Sequence, residues 1–169
     1  MIEIRKASIS DIPFIKSIAE ETWPITFGNI LNESQIRYML DWMYSTETLQ
    51  QQIETENHQF LVAQTRAGDS VLGFAGIQHG IENELTKIHK LYIRPKAQGM
   101  GVGRRMMDQI TELAHEQGDY GIFLNVNKYN TQAIDFYQYL GFIKVSEEVI
   151  DIGNGYVMDD YVMQLSLNR

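Results

Sequence analysis

The stretch Gln98-Gly99-Met100-Gly101-Val102-Gly103-Arg104-Arg105 lies between a run with strand character and a run with helix character. Glycines at that junction let the backbone turn sharply and bring its N–H groups close to a ligand. A helix that starts there adds unpaired N–H donors and a partial positive charge. Together these make a cradle for a phosphate or pyrophosphate. Arg104 and Arg105, in the first turn, can add charge-assisted bonds to phosphate oxygens. Two familiar phosphate loops do not fit. A nucleoside-triphosphatase loop ends Gly-Lys-Ser/Thr, and this one ends Gly-Arg-Arg. A dinucleotide loop spaces its glycines by one and then two residues, whereas Gly99, Gly101 and Gly103 alternate evenly and Arg104 stands where the third glycine belongs.

Charge supports an anion site here. The 169 residues carry a net charge of −8, yet Leu85 to Met107 holds six basic residues (Lys87, Lys90, Arg94, Lys96, Arg104, Arg105) and no acid, leaving −14 for the rest. An acidic chain with one short basic segment argues against nucleic acid as a partner. Without cysteine there is no disulfide, thiolate metal site or cysteine nucleophile. His58, His79, His89 and His115 show no metal-ligand spacing, so no metal is expected. No apolar run nears the ~20 residues of a membrane-spanning helix. The opening MIEIRKASISDIPFI alternates like a strand and lacks a signal peptide's apolar core, which predicts a cytoplasmic protein.

The elements that must position the loop follow from hydrophobic periodicity. Strands are predicted at Ile2–Ala7, Gln59–Arg66, Val71–His79 and Leu85–Ile93. Further strands are predicted at Ile122–Val126, Phe142–Asp151 and Tyr156–Leu167. A first helix is capped by Ser10 or Asp11 and carries Ile12, Ile15, Ile18, Ala19 and Thr22/Trp23 at helical spacing. Trp23 to Asn29 then reads as an aromatic loop broken by Pro24 and Gly28. Helices follow at Glu33–Tyr44, Thr46–Glu54, Gly103–Glu116 and Thr131–Leu140. Gly153-Asn154-Gly155 is a strong hairpin turn. With no linker, repeat or low-complexity stretch, the expectation is a single α/β domain over 1–169.

Gln98, Gly101 and Gly103 match the acyl-CoA loop Gln/Arg-x-x-Gly-x-Gly/Ala of the GNAT N-acetyltransferase superfamily. Upstream, Leu91-Tyr92-Ile93-Arg94-Pro95 resembles the end of that superfamily's fourth strand. Downstream, Asn130 to Phe142 resembles its next helix, closing on Phe136-Tyr137-x-x-x-Gly141-Phe142. The motifs stand in the family's order, and the resemblance covers essentially the whole chain. It implies a mixed, mostly antiparallel sheet of about seven strands, splayed between strands 4 and 5 and flanked by helices.

The resemblance also implies roles. The pantetheine arm of acetyl-CoA would enter the splay and pair with backbone at Leu91, Tyr92 and Ile93, and with the Leu124–Val126 region. The pyrophosphate would rest on the loop from Gln98 and Gly99 through Met100, Gly101, Val102 and Gly103 to Arg104. Asn130 would hydrogen-bond the CoA arm, although Asn is equally suited to cap the helix that follows. Tyr137 would protonate the departing thiolate, although Ala133, Ile134, Tyr137 and Leu140 form one helical face and suit a core aromatic as well. The amine would attack the thioester directly, and a base is needed because an alkyl ammonium, pKa ~10, must first lose its proton. His79, Glu82, Glu84 and His89 are candidates, with His89 or Glu84 preferred.

Acceptor pockets in this superfamily are built from the first two helices and the C-terminal hairpin. Those parts hold Glu20, Glu21, Trp23, Phe27, Tyr38 and Trp42, then Glu147, Glu148, Asp151, Asp159 and Asp160. Aromatics with carboxylates suit an organic cation. Glu21-Thr22-Trp23, Thr26-Phe27 and Asp160-Tyr161-Val162-Met163 resemble the bacterial PaiA-type polyamine acetyltransferases. A small-molecule amine such as spermidine is therefore the expected acceptor. The alternatives are a protein N-terminus, as in ribosomal-protein acetyltransferases, and a sensor that binds acyl-CoA without turnover. Many members of the superfamily are homodimers, but nothing in the sequence localises an interface.

Overall fold

The computed structural model describes residues 1–55 and 57–167. Seven strands form one sheet in the order β1-β2-β3-β4-β5-β7-β6. They are β1 (Ile2–Lys6), β2 (His58–Thr65), β3 (Val71–Ile81), β4 (Leu85–Ile93), β5 (Gly121–Asn127), β6 (Ile143–Gly153) and β7 (Tyr156–Ser166). Every neighbouring pair is antiparallel except β4 and β5, which run parallel. A parallel pair requires a crossover, and helix α4 (Val102–Glu116) supplies it.

Each face of the sheet is covered. Met106, Met107, Ile110 and Ala114 of α4 pack with Ile88, Ile122, Leu124 and Tyr137 on one side. That face also takes α5 (Thr131–Tyr139). On the other side α1 (Ile12–Phe27), α2 (Glu33–Met43) and α3 (Thr46–Glu54) bury Ile15, Ile18, Trp23, Met39, Leu40 and Leu49 against Phe60, Val62 and Phe74. Among the described residues no helix is long and apolar enough to cross a membrane.

One predicted element differs. The aromatic loop at Trp23–Asn29 is instead the last turn of α1, which continues through Pro24 to Phe27. Trp23 and Phe27 are both buried, four residues apart, with ring centroids 4.6 Å from one another. That burial, worth roughly 2–3 kcal/mol per large side chain, offsets the hydrogen bond that a proline removes from a helix. Tertiary packing overrides the breaker.

The parallel pair is only half zipped. Leu85, Thr86, Lys87 and Ile88 face Gly121, Ile122, Phe123 and Leu124, and the pairing stops there. At that level the register of β3 against β4 slips, so that Gly76 faces Lys90 while Ile77 faces Ile88. His89 is the extra residue of this bulge. A bulge bends its strand and sharpens its twist, turning the rest of β4 away from β5. β4 remains paired to β3 as far as Gly73 and Ile93, and β5 to β7 as far as Asn127 and Asp160. The edges of β4 and β5 that face each other beyond Ile88 and Leu124 are therefore left without a strand partner.

Candidate active site

The splay opens a cleft of about 380 Å³. Leu91 and Tyr92 form one wall, Leu124 to Asn127 the other. Asn130 and Tyr137 of α5 close it on one side, while Trp23, Phe27 and Trp42 line the other. Backbone N–H and C=O groups are obligatory hydrogen-bonding groups, so an extended polar ligand fits between these edges as an added strand would.

The glycine loop leads away from the same strand. A 3-10 turn at Pro95–Ala97 follows β4, and Gly99 and Gly101 adopt φ of +80° and +78°. Side chains rarely enter that region, which explains glycine at both positions. Gly101 caps α4, and Arg105 is the first residue of the helix whose N–H returns to it, at 3.1 Å. The amides of Val102, Gly103 and Arg104 thus have no intrahelical acceptor. The Met100 N–H, by contrast, is engaged by the Ala97 carbonyl at 3.2 Å. Gln98 turns its amide back to the Ile93 carbonyl at 3.4 Å, steadying the loop. Gly103 has another reason: a Cβ there would lie 3.2 Å from the Phe136 ring, so α4 and α5 approach closely. Arg104 is exposed, 3.6 Å from Asp108.

Asn130 caps α5 and stands at the cleft. Its side chain accepts the Ala133 N–H at 3.3 Å. Tyr137 is likewise both: only 8% exposed, packed edge-on against Phe136 and Phe142, and lining the cleft. Burial pushes its phenol pKa well above the ordinary value, so it holds its proton throughout neutral pH.

The candidate bases separate. His89 lines the cleft, bonds Gln78 Oε1 through Nε2 at 3.0 Å and stacks on His58 with centroids 5.3 Å apart. Its ring stays neutral: desolvation first, then Lys87, His58 and Lys90, lower its pKa to about 3, although much of the residue still faces solvent. Glu84 stands in the β3–β4 turn at φ +66°, where its carbonyl accepts the Tyr120 N–H. It is outside the cleft lining, roughly 16 Å back from His89 along extended chain. His79 is also remote. It is buried in a chain in which Thr86 Oγ1 lies 3.0 Å from His79 Nδ1 and donates to Asp119 Oδ2 at 2.6 Å.

Lys90 and Asn127 were not named among the site residues from the sequence, and Asn125 was named only as part of the Leu124–Val126 region. Lys90 is 5% exposed, its ammonium 3.1 Å from Gln52 Oε1 and over the rings of Tyr44 and Phe60, and burial lowers its pKa to about 8. Asn125 and Asn127 stand on β5, and Asn127 also holds the Tyr129 N–H through its side chain. A lysine and two asparagines interrupting apolar strands were the available signal.

The sequence profile of the Acetyltransferase (GNAT) family matches residues 15–142. A spermidine N(1)-acetyltransferase of Thermoplasma acidophilum is 27% identical over 143 residues, 83% of this chain and 88% of that protein. The crystal structure of PaiA N-acetyltransferase from Thermoplasma acidophilum in complex with coenzyme A superposes with a TM-score of 0.82 at 25% identity, covering 98% of this chain and 99% of that one. The ribosomal-protein-S18-alanine N-acetyltransferase of Escherichia coli shares the fold, with a TM-score of 0.73 at 17% identity over 100% of this chain and 96% of that one.

Proposed function

Because the chain belongs to the acetyltransferase (GNAT) family and is an N-acetyltransferase that uses acetyl-CoA, we propose that it acetylates a polyamine of the spermidine class in a ternary complex. The observation that carries this reading is the cleft itself. It has unpaired strand edges on two walls and aromatic side chains toward α1 and α2, and the loop that follows β4 leads to the N-terminus of α4. Likeness to a spermidine acetyltransferase over most of both chains supports the acceptor class.

The residues present fit the co-substrate. Open space surrounds the Cα of Gly99 and Gly101, and the amides of Val102 to Arg104 converge where a pyrophosphate is expected. Leu91, Tyr92 and Ile93 would hold the pantetheine arm from one side, Asn125 to Asn127 from the other, with Asn130 beside them. Acetyl-CoA supplies an activated acetyl group. The Leu91 and Tyr92 region offers backbone N–H groups to the carbonyl oxygen as negative charge develops on it. Tyr137, kept protonated by burial, delivers its phenolic proton to the departing sulfur. The attacking nitrogen must arrive neutral, and His89, itself neutral, is the imidazole that lines the cleft. Glu84 is left with a role in the turn. A single domain acting in the cytoplasm, alone or as a homodimer, completes the reading.

Release of free CoA thiol from acetyl-CoA tests it, with a panel of spermidine, spermine, monoamines and N-terminal peptides. Turnover is expected with the polyamines. Turnover only with peptides overturns the acceptor, and CoA binding without any turnover overturns the enzyme reading in favour of a sensor.

A further inference from the structure

Eleven acidic and aromatic residues in the N-terminal helices and the C-terminal hairpin suit a cation by composition, yet most of the acids already have partners. Glu20 pairs with Arg37 at 2.8 Å and Glu21 with Arg94 at 3.4 Å. Lys128 takes Asp159 at 2.9 Å, and Lys144 takes Glu147 at 2.7 Å. Asp151 accepts the Gly153 N–H of its own turn.

Asp160 is different. It is 5% exposed and, among the described residues, is the one carboxylate that lines the cleft. Its Oδ1 has no hydrogen-bond partner among the described residues, and Oδ2 has only the Asn125 side-chain amide at a long 3.4 Å. The nearest influential cation, Lys87, lies over the Phe123 ring rather than in a salt bridge. Glu148 and Asp159 add like charge from β6 and β7. A buried carboxylate without a cation is costly to the fold, and it stabilises any cation that enters.

We propose that Asp160 recognises a second, non-reacting ammonium group of the acceptor, which makes the site selective for di- and polyamines over monoamines. This rests on the acetyltransferase reading and deepens it. The nitrogen held by Asp160 is not the one that attacks, since a carboxylate favours the charged form of the amine and attack needs a lone pair. Asp160 lies opposite Asn127 in the β5–β7 pair, on the wall of the cleft that Leu124 to Asn127 form. Trp23, Phe27 and Trp42 give the intervening chain an apolar, cation-tolerant wall.

The test compares the full-length chain with Asp160→Asn and Asp160→Glu, using spermidine and butylamine as acceptors. In Asp160→Asn the ratio of kcat/KM for spermidine to that for butylamine falls roughly 10- to 100-fold, the range of a charge-assisted hydrogen bond, and the change lies in KM more than in kcat. Asp160→Glu recovers part of it. Thermal stabilisation by spermidine in the presence of CoA is expected in the wild type and lost in Asp160→Asn, whose own melting temperature confirms that it folds. An unchanged acceptor preference overturns the proposal, and so does a fall in kcat at constant KM, which marks a proton acceptor instead. If the wild type is stabilised by spermidine but turns over no amine, the acetyltransferase reading fails while Asp160 stands. If neither is seen, both fail.

Discussion

The two ends of the β4–β5 pair are built from the same strands and have opposite characters. At the Leu85–Ile88 end the strands are zipped to Gly121–Leu124. His79, Thr86 and Asp119, each 5% exposed or less, form a hydrogen-bonded chain there, with the Gly80 N–H adding a further bond to Asp119 at 3.1 Å. A Cβ on Gly121 would lie 2.7 Å from Leu85, so the strands meet as tightly as glycine allows. Beyond Ile88 the pairing stops, the cleft is lined by open backbone, and Asp160 is buried without a cation. One end is closed by strand pairing and the other is left open where the His89 bulge turns β4 away from β5.

The contrast can be broken from the open end first. Tyr137→Phe is expected to lower kcat about 10²- to 10⁴-fold, the usual contribution of a positioned general acid, while CoA affinity measured by calorimetry changes far less. Unchanged turnover returns Tyr137 to a packing role. Gly101→Val forces a β-branched residue to φ +78°, a strain of about 1–2 kcal/mol placed on the amides that face the phosphate. CoA affinity should fall tenfold or more with the circular dichroism of the fold intact, and retained affinity would show that the loop is not the cradle.

At the closed end the reverse pattern is expected. Thr86→Val removes the hydroxyl between His79 and Asp119 and should cost about 1–3 kcal/mol in denaturant unfolding, the range for a buried polar group left unmatched. The CoA affinity should stay within a few-fold, and a large loss would show that the two ends are not separable. The smallest effect is on pH. Burial lowers the pKa values of His58, to about 4, and of His79. Below pH ~6.5 the unfolded chain takes up protons that the folded one refuses, so stability is full above 6.5 and falls as the pH drops. For His58 the slope is up to about 1.4 kcal/mol per pH unit between 6.5 and its folded value. A flat stability profile between pH 7 and 5 would mean that these imidazoles are not desolvated.

Local signals made the glycine-loop side of the cleft legible in the sequence. The loop, α4, Asn130 and Tyr137 lie within one continuous strand–loop–helix–strand–helix stretch, and glycine, asparagine and periodic apolar residues mark its turns and faces. The opposite side is assembled from distant parts. Nothing near Asp160 distinguishes it from Asp159. Only the position of Lys128, 32 residues upstream by the numbering, decides which of the two is neutralised. Trp23 and Phe27 conceal a helix because the contacts that overrule Pro24 come from β3, α2 and β4. The turn at Glu82, Asn83 and Glu84 is left-handed at three successive non-glycine residues, a conformation that no local propensity announces. Glu84 therefore read as part of a strand approach when it belongs to the far turn.

The bulge at His89 acts as a phase change in β4. Side chains of a regular strand alternate between two faces, and one inserted residue inverts the order of everything after it. Ile88 lies in the α4-side core. Two residues further on, where regular alternation would return to that face, Lys90 instead reaches Tyr44 and Phe60 on the opposite one. Tyr92 follows it there, beside Trp23 and Phe74, while Leu91 and Ile93 rejoin the α4 side. Deleting His89 would make β4 a regular strand and leave Lys90, Leu91, Tyr92 and Ile93 on the faces they now hold. What it would remove is the bend that turns the end of β4 away from β5.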